Sequence, residues 1–219
     1  MIIHPSAVLF DLDGTLLDTA DDLAHCLNLL LTEESIENKP HSKIRLHVSN
    51  GANAMLTFAF GEMEQSLALR RRERLLALYQ MNIAQHTRWF DDLERLTLEF
   101  KSKQIPWGIV TNKPRLYTDL LLAAMGIDQQ VDVVVCPDDL NIAKPDPRPL
   151  LHACKQVNAD PAQAIYIGDH IRDIDAGRAA GMTTIAAAYG YLEHADDVNT
   201  WQADHIVQNS HDIASLIQF

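Results

Sequence analysis

Residues 7–15 read AVLFDLDGT, an apolar run that passes directly into two aspartates, a glycine and a threonine. The run AVLF has the short, continuous hydrophobicity that is typical of a buried strand. Ionised carboxylates are expensive to remove from water, so Asp11 and Asp13 need a compensating charge at the end of that strand. A hard divalent cation such as Mg²⁺ is the candidate that carboxylate oxygens favour. One acid could then act as a nucleophile and the other as an acid/base group.

The composition is that of an ordinary globular protein, with 219 residues of which 47% are hydrophobic and 22% are charged. The formal net charge of −12 disfavours nucleic acid as a partner, because phosphate backbones attract basic surfaces. We expect no membrane span, since no apolar segment approaches about 20 residues, and no secretory signal. Three widely separated cysteines favour reduced thiols, so we expect a cytoplasmic protein without nucleic-acid or membrane partners.

Short apolar strands alternate with helical patterns along the second half of the chain, which predicts a parallel sheet covered by helices on both faces. The predicted strands are 7–10, 107–111, 131–136, 164–167, 183–188 and 205–207. The predicted helices between the later strands are 115–125, 149–157 and 171–180. This is an α/β fold with βαβ units, and its length suits one sizeable domain that carries a smaller insert.

The first interval between strands is far longer than the others and reads as helices at 18–31, 52–60, 67–86 and 91–103. Because a crossover needs only about a dozen residues, the surplus predicts a small helical domain above the first strand. We place this insert at residues 18–89 and the core at residues 1–17 and 90–219. The basic run at residues 70–74, RRRER, is expected to spread around its helix as a solvated face.

Three further polar clusters follow predicted strands, where ligands bind in open α/β sheets. Residues 111–114, TNKP, precede a helix and could cradle an anion or simply cap that helix. Lys144, the first residue of KPDP, could be held inward as a fixed positive charge or remain a surface lysine in a turn. Asp169 and Asp173 lie four residues apart and can face the same way across one helical turn.

If the four acids converge, their mutual repulsion must be offset before a negatively charged substrate can enter. Two unit charges about 4 Å apart repel by about 4 kcal/mol at an effective dielectric of about 20. A Mg²⁺ ion together with Lys144 would offset much of this repulsion and would stabilise a transferring phosphoryl group. The pattern therefore indicates phosphoryl transfer to a carboxylate nucleophile.

The four clusters, in this order and spacing, resemble the motifs of the haloacid dehalogenase-like hydrolase superfamily over essentially the whole chain. The insert resembles the helical cap of the phosphoglycolate-phosphatase-like branch. Finer stretches are similar to the N-acetylmuramic acid 6-phosphate phosphatases, and they are 48–52 (VSNGA), 107–114 (WGIVTNKP), 179–182 (AAGM), 189–191 (YGY) and 201–204 (WQAD). The resemblance implies a Rossmann-like core with a cap and a Mg²⁺-dependent phosphomonoesterase.

The resemblance implies a role for each residue of the motifs. Asp11 would attack phosphorus, forming an aspartyl-phosphate, and Asp13 would protonate the leaving oxygen and then activate water. The phosphate oxygens would be bound by Thr111, Asn112 and Lys144. An acid at the position of Asp13 disfavours dehalogenation, because a halide leaving group needs no proton whereas an alkoxide does.

The resemblance also implies a metal site. Mg²⁺ would be held by a carboxylate oxygen of Asp11, the backbone carbonyl of Asp13 and a carboxylate oxygen of Asp169. Asp173 would support the metal shell through water or through Lys144.

Substrate choice should reside in the cap, since the core motifs contact only phosphate and metal. Arg45, Ser49 and Asn50 are the candidates for reaching the organic part of a small phosphorylated metabolite, although each could equally serve the cap surface. The first substrate hypothesis is N-acetylmuramic acid 6-phosphate, and the second is 2-phosphoglycolate. A phosphosugar mutase and a non-catalytic phosphate-binding protein remain as alternatives, and the protein is expected to be a monomer or a homodimer.

Overall fold

The computed structural model of the chain describes residues 2–192 and 195–218. Its strands, numbered along the chain, are β1 (Ile2–Ile3), β2 (Val8–Phe10), β3 (Leu17–Asp18), β4 (Arg88–Trp89), β5 (Trp107–Val110), β6 (Val133–Val135), β7 (Ile165–Gly168), β8 (Thr183–Ala187), β9 (His205–Val207) and β10 (Ile217–Gln218). The main sheet is fully parallel, and its strand order is β6-β5-β2-β7-β8-β9. Two short pairs, β1 with β10 and β3 with β4, complete the strand pairing of the described residues.

The helices connect these strands and cover both faces of the main sheet. They are α1 (Ala20–Glu33), α2 (His41–Val48), α3 (Gly51–Phe60), α4 (Gln65–Met81), α5 (Leu93–Ser102), α6 (Arg115–Met125), α7 (Pro137–Leu140), α8 (Arg148–Gln156), α9 (Ile171–Ala179) and α10 (Asp212–Leu216). Short 3₁₀ turns lie at Pro161–Gln163 and Ala195–Thr200. None of the helices in the described ranges combines the length and the hydropathy of a bilayer-spanning helix.

The central strand β2 is buried along its whole length, as are its neighbours β5 and β7. Strands covered on both faces bury every side chain, which explains why they read as continuous apolar runs rather than as alternating ones. Phe10 is in register with Ile109 of β5 and with Ile167 of β7. The residues that follow these three strands therefore emerge at one edge of the sheet. The prediction of a parallel α/β sheet is confirmed.

Helices α1 to α4 lie between β3 and β4, which pair antiparallel through Leu17 with Trp89 and Asp18 with Arg88. The four helices share a hydrophobic cluster that is separate from the clusters along the sheet. Asp22 is fully buried in α1, and its carboxylate accepts hydrogen bonds from the backbone N–H groups of His86 (2.7 Å) and Thr87 (3.2 Å). This contact ties the end of the insert to its beginning. The division into domains at residues 18–89 stays a prediction.

The insert contains one helix that the sequence did not predict. Helix α2 reads HSKIRLHV and buries only Ile44 and Val48, four residues apart, so its apolar signal is too sparse to stand out. Helix α4 starts at Gln65 and ends at Met81, five residues before the predicted end at His86. The outer edges of an element are the part that local pattern specifies least.

Helix α5 provides a matched pair of leucines for testing the core. Leu96 is 3% exposed and belongs to the cluster on the sheet, whereas Leu98 on the same helix is 52% exposed. We predict that Leu96→Ala lowers the free energy of unfolding by about 2–5 kcal/mol, because a cavity replaces the side chain. Leu98→Ala should change it by no more than about 0.5 kcal/mol. Chemical denaturation measures both values, and equal losses would contradict the assignment of α5 to the core.

Candidate active site

The candidate site lies at the carboxyl edge of the sheet, around the end of β2. Asp11 directly follows β2, Thr111 follows β5 and Asp169 follows β7. The register that aligns the three strands brings these side chains to one place although they are far apart in sequence. Lys144 reaches the same place from the loop between α7 and α8. The predicted convergence of the four clusters is thus observed.

Lys144 is a buried cation, 4% exposed, that holds two of the acids. Its Nζ lies 2.8 Å from Asp11 Oδ1 and 2.7 Å from Asp173 Oδ1. The same amine donates to the carbonyl of Val110 (2.9 Å) and to the hydroxyl of Tyr166 (2.7 Å). Burial lowers the pKa of Lys144, but Asp11 and Asp173 outweigh that effect and raise the pKa above its ordinary value. Lys144 is therefore charged, and the alternative of a surface lysine is wrong.

Three buried acids form a compact group that could hold a metal ion. Asp11, Asp169 and Asp173 each offer a carboxylate oxygen, and the three oxygens lie within 4.8 Å of one another. Burial, together with the charges of Asp11 and Asp173, raises the pKa of Asp169 to about 7. Asp169 Oδ1 is buried and has no hydrogen-bond partner among the described residues. Hard oxygen donors with an unsatisfied buried atom fit a cation such as Mg²⁺.

The other oxygen of Asp169 is fixed by protein donors. Its Oδ2 accepts hydrogen bonds from the Ser49 hydroxyl (2.8 Å) and from the Tyr191 backbone N–H (3.0 Å). Gly14 and Gly190 leave room for this carboxylate, because a Cβ at Gly14 would lie 2.2 Å from Asp169 Oδ2 and one at Gly190 would lie 2.3 Å from Asp169 Cβ. Gly14 also has a φ of +88°, which side-chain-bearing residues rarely adopt. The glycine of the first motif is thus required both by conformation and by space.

Asp13 lies outside the group of three acids. Its Oδ1 accepts hydrogen bonds from Thr19 Oγ1 (2.6 Å) and from Lys113 Nζ (3.0 Å). Burial lowers the pKa of Lys113, and the Asp13 carboxylate more than restores it, so the pKa lies above its ordinary value. The sequence analysis quoted Lys113 within the TNKP motif but assigned it no role. That Asp13 contributes its backbone carbonyl to a metal stays a prediction.

Thr111 and Asn112 sit beside Lys144 but use their side chains differently. The Thr111 hydroxyl accepts a hydrogen bond from the Lys113 backbone N–H (3.1 Å), which leaves its own O–H available as a donor. The Asn112 amide is engaged on both sides, since Oδ1 accepts from the Lys144 N–H (2.9 Å) and Nδ2 donates to the Lys144 carbonyl (3.1 Å). Asn112 therefore positions the lysine loop and also lines the cavity, and its binding to phosphate stays a prediction.

Two of the predicted insert residues reach the site from above. The loop between α2 and α3 carries Ser49, which contacts Asp169, and Asn50, whose Oδ1 lies 3.1 Å from His170 Nε2. Arg172 at the start of α9 also donates to the carbonyl of Ser49. Burial and the neighbouring Arg172 charge lower the pKa of His170 to about 4, so the ring is neutral and its Nδ1 accepts the Arg172 N–H. The insert and the core are thus in direct polar contact at the site.

The third predicted insert residue, Arg45, is engaged away from the cavity. Its Nη1 lies 2.7 Å from Asp18 Oδ1, and its guanidinium stacks 4.5 Å from the centre of the Tyr191 ring. The Tyr191 hydroxyl accepts the backbone N–H groups of Thr19 (2.6 Å) and Ala20 (3.0 Å) and donates to Asp18 (3.1 Å). Arg45 and Tyr191 therefore brace the junction at β3, and Arg45 is not among the residues that line the cavity.

A cavity of about 320 Å³ separates the strand ends from the insert. Its floor includes Asp11, Thr111 and Lys144, and its roof includes Ser49 and Asn50. Helix α4 forms one wall with Arg72, which belongs to the basic run at residues 70–74, and with Leu76 and Tyr79, for which the sequence predicted no role. Their spacing of four and three residues places them on one face of the helix, and that periodicity is the signal that could have identified them.

Comparison with known proteins places these features in a family. Residues 8–187 match the model of the haloacid dehalogenase-like hydrolases. An N-acetylmuramic acid 6-phosphate phosphatase of Pseudomonas putida is 38% identical over 96% of this chain and 95% of its own length. A phosphoglycolate phosphatase of Xanthomonas campestris pv. campestris is also 38% identical, over 93% of this chain and 92% of its own.

A solved structure has the same fold. The crystal structure of a predicted phosphoglycolate phosphatase from Haemophilus somnus 129pt superposes with a TM-score of 0.84, covering 96% of this chain and 97% of that one. The two sequences are 24% identical, so this likeness concerns the fold alone.

Asp169 makes stability depend on pH in the metal-free protein. Its pKa of about 7 lies above the ordinary 3.8, so the folded state holds a proton that the unfolded state has released. This stabilising contribution is complete below the ordinary pKa and is lost as the pH rises through about 7. We predict that Asp169→Asn becomes progressively more stable relative to wild type as the pH rises from about 4 to about 7. Denaturant unfolding in EDTA measures this gain. The prediction would be contradicted if the free energies of unfolding of wild type and Asp169→Asn changed with pH in parallel. It would also be contradicted if the exposed control Asp175→Asn showed the same gain.

Proposed function

The chain belongs to the haloacid dehalogenase-like hydrolases and is a phosphoric monoester hydrolase, and we propose that its substrate is N-acetylmuramic acid 6-phosphate. The observation that carries the chemistry is the convergence of Asp11, Lys144 and Asp169 at one end of the sheet. The relative with 38% identity that is named for this substrate supports the choice of sugar phosphate. The reaction runs through an aspartyl-phosphate and requires Mg²⁺.

Asp11 is the nucleophile in this mechanism. One of its carboxylate oxygens attacks phosphorus, and the bond from phosphorus to the sugar oxygen breaks. Lys144 holds Asp11 in place, because its charged amine lies 2.8 Å from Asp11 Oδ1. The Thr111 O–H is available to donate to a phosphate oxygen, and the Lys144 amine adds positive charge on this side of the cavity. Water then attacks the phosphoenzyme, releasing inorganic phosphate and restoring the Asp11 carboxylate.

Asp13 carries the proton in both steps. It gives a proton to the departing sugar oxygen and takes one from the attacking water. The Lys113 ammonium, 3.0 Å from Asp13 Oδ1, and the Thr19 hydroxyl, 2.6 Å from the same oxygen, hold this carboxyl group in position.

The residues that would hold Mg²⁺ are Asp11 and Asp169, with the backbone carbonyl of Asp13 as a further ligand. Asp173 acts through Lys144, in keeping with their separation of 2.7 Å. When bound, the ion supplies positive charge to the phosphoryl oxygens and to the crowded acids. The unsatisfied Oδ1 of Asp169 supports this assignment.

Residues 18–89 act as a cap over the core residues 1–17 and 90–219. The separate hydrophobic cluster of α1 to α4 and the contact between Ser49 and Asp169 support this role. A cap that covers the cavity excludes bulk water while the phosphoryl group is transferred.

Phosphoglycolate is the second candidate substrate. It is favoured by the phosphoglycolate phosphatase that is as similar in sequence as the sugar-phosphate enzyme. The cavity of about 320 Å³ favours the larger molecule, because it falls in the range of pockets that enclose drug-sized ligands. Its apolar wall residues, which include Leu76 and Met55, also suit the carbon skeleton of a sugar better than a two-carbon acid.

Metal binding can be measured without turnover. We predict that Mg²⁺ at about 100 times its Kd stabilises the wild-type protein by about 2.7 kcal/mol and raises Tm by about 5–10 °C. Asp169→Asn should abolish this shift, because it removes a ligand, while Asp175→Asn at an exposed position should keep it. A wild-type protein whose Tm does not respond to Mg²⁺ would contradict the metal assignment.

Steady-state hydrolysis tests the substrate and the nucleophile together. With Mg²⁺ present, kcat/KM should be higher for N-acetylmuramic acid 6-phosphate than for 2-phosphoglycolate. Asp11→Asn should lower turnover of both by about 10³-fold or more with folding retained, because the nucleophile is lost. Equal and slow rates on both substrates would defeat the substrate assignment and leave the phosphatase class intact. Full activity of the Asp11→Asn protein would defeat the mechanism.

A further inference from the structure

Helix α4 presents one arginine to the cavity and turns its neighbours elsewhere. Arg72 lines the cavity together with Leu76 and Tyr79, one and two turns further along the same face. Arg71 and Arg74 point toward α1 instead, where they form ion pairs with Glu34 and Glu33. The expectation that the whole basic run is a solvated face is therefore wrong for Arg72.

Arg72 is also the one cation lining the cavity that lacks a partner among the described residues. Lys113 is paired with Asp13, and Lys144 is paired with Asp11 and Asp173. Arg172 donates to the backbone carbonyl of Ser49. The half-buried guanidinium of Arg72 has neither a hydrogen bond nor an ion pair with any residue that the structure describes.

The surroundings of Arg72 make an unpaired charge costly. The wall beside it includes Leu76, and Leu23 and Met55 line the same cavity. A charged group next to apolar side chains loses hydration without gaining a counter-ion. An anion that enters the cavity would restore that balance. A guanidinium binds a carboxylate through two parallel hydrogen bonds, which a point charge such as lysine cannot match.

The phosphate end of the cavity is already provided for by other elements. Lys144 and Thr111 belong to the sheet side, whereas Arg72 belongs to a helix of the insert. A substrate that spans the cavity with its phosphate on Asp11 would therefore meet Arg72 with its organic part.

We propose that Arg72 binds a carboxylate on the organic part of the substrate. It would thereby select phosphomonoesters that carry a carboxylate over phosphomonoesters that lack one. This proposal rests on the proposed function, because N-acetylmuramic acid 6-phosphate carries a lactyl carboxylate. Arg45, which the sequence predicted as a candidate for reaching the organic part of the substrate, is paired with Asp18 instead.

The test compares substrates that differ in the carboxylate. N-Acetylglucosamine 6-phosphate lacks the lactyl group of N-acetylmuramic acid 6-phosphate, and ethyl phosphate lacks the carboxylate of 2-phosphoglycolate. Arg72→Gln should lower kcat/KM for the acid of each pair by about 10- to 100-fold, the loss expected for a hydrogen-bonded charge pair. It should leave kcat/KM for the member that lacks the carboxylate within about 2-fold of the wild-type value, because that substrate makes no contact with the guanidinium. The loss should lie in KM, since binding of the carboxylate is the same in the ground and transition states.

Two further variants separate this role from a structural one. Arg72→Lys keeps the positive charge but lacks the two parallel donors of the guanidinium, so its kcat/KM for the acids should lie between those of Arg72→Gln and the wild type. Arg70→Gln changes an exposed arginine on the same helix and should match the wild type on all four substrates. Thermal unfolding of each variant shows whether the fold is retained.

The outcomes test the carboxylate contact of Arg72 separately from the proposed sugar substrate. An equal loss on both members of a pair would assign Arg72 to phosphate or to the fold and would overturn the inference. Wild-type protein that does not prefer the acid of either pair would overturn it as well. If only 2-phosphoglycolate and ethyl phosphate are hydrolysed, the sugar assignment fails, and the effect of Arg72→Gln on that pair still decides the inference.

Discussion

The buried ammonium of Lys144 is the contact on which the site depends. Asp11 and Asp173 are both buried, and their like charges would repel each other strongly in a medium of low dielectric. The amine lies 2.8 Å from one carboxylate and 2.7 Å from the other, so its positive charge offsets part of that repulsion. Its remaining contacts go to Val110 and Tyr166, which belong to the two strands on either side of β2. The lysine therefore ties together three parallel strands as well as the charges at their ends.

Asp169 is the member of the acid group that Lys144 does not contact, and one of its oxygens is satisfied by no described residue. Burial and the charges of Asp11 and Asp173 raise its pKa to about 7. In the part of the chain that the structure describes, the three grouped acids thus have only Lys144 as a direct protein counter-ion, a gap that a metal ion could fill. Arg72, on the wall formed by α4, is the cavity cation that lacks a partner among the described residues. The substrate proposed above would bring its phosphate to the sheet side and its carboxylate to Arg72.

The sequence predicted the sheet and the acids well because their signals are local. A buried strand that runs straight into aspartate is unusual, and the same pattern occurs at Asp11 and at Asp169. The burial of Lys144 could not be known in advance, since a lysine between prolines is equally typical of a surface turn. The sequence also could not predict that Arg72 rather than Arg45 lines the cavity. Which arginine faces the cavity depends on how α2 and α4 pack against the core, and no local pattern encodes that rotation.

Tyr191 connects the acid cluster with the junction between the core and the insert. Its backbone N–H donates to one oxygen of Asp169. Its hydroxyl accepts the N–H groups of Thr19 and Ala20 at the start of α1 and donates to the carboxylate of Asp18 at the junction with the insert. The main chain of Tyr191 thus contacts the acid cluster, while its side chain contacts the junction between β3 and α1. A displacement of α1 relative to the sheet would therefore also disturb the hydrogen bond that fixes Asp169 Oδ2.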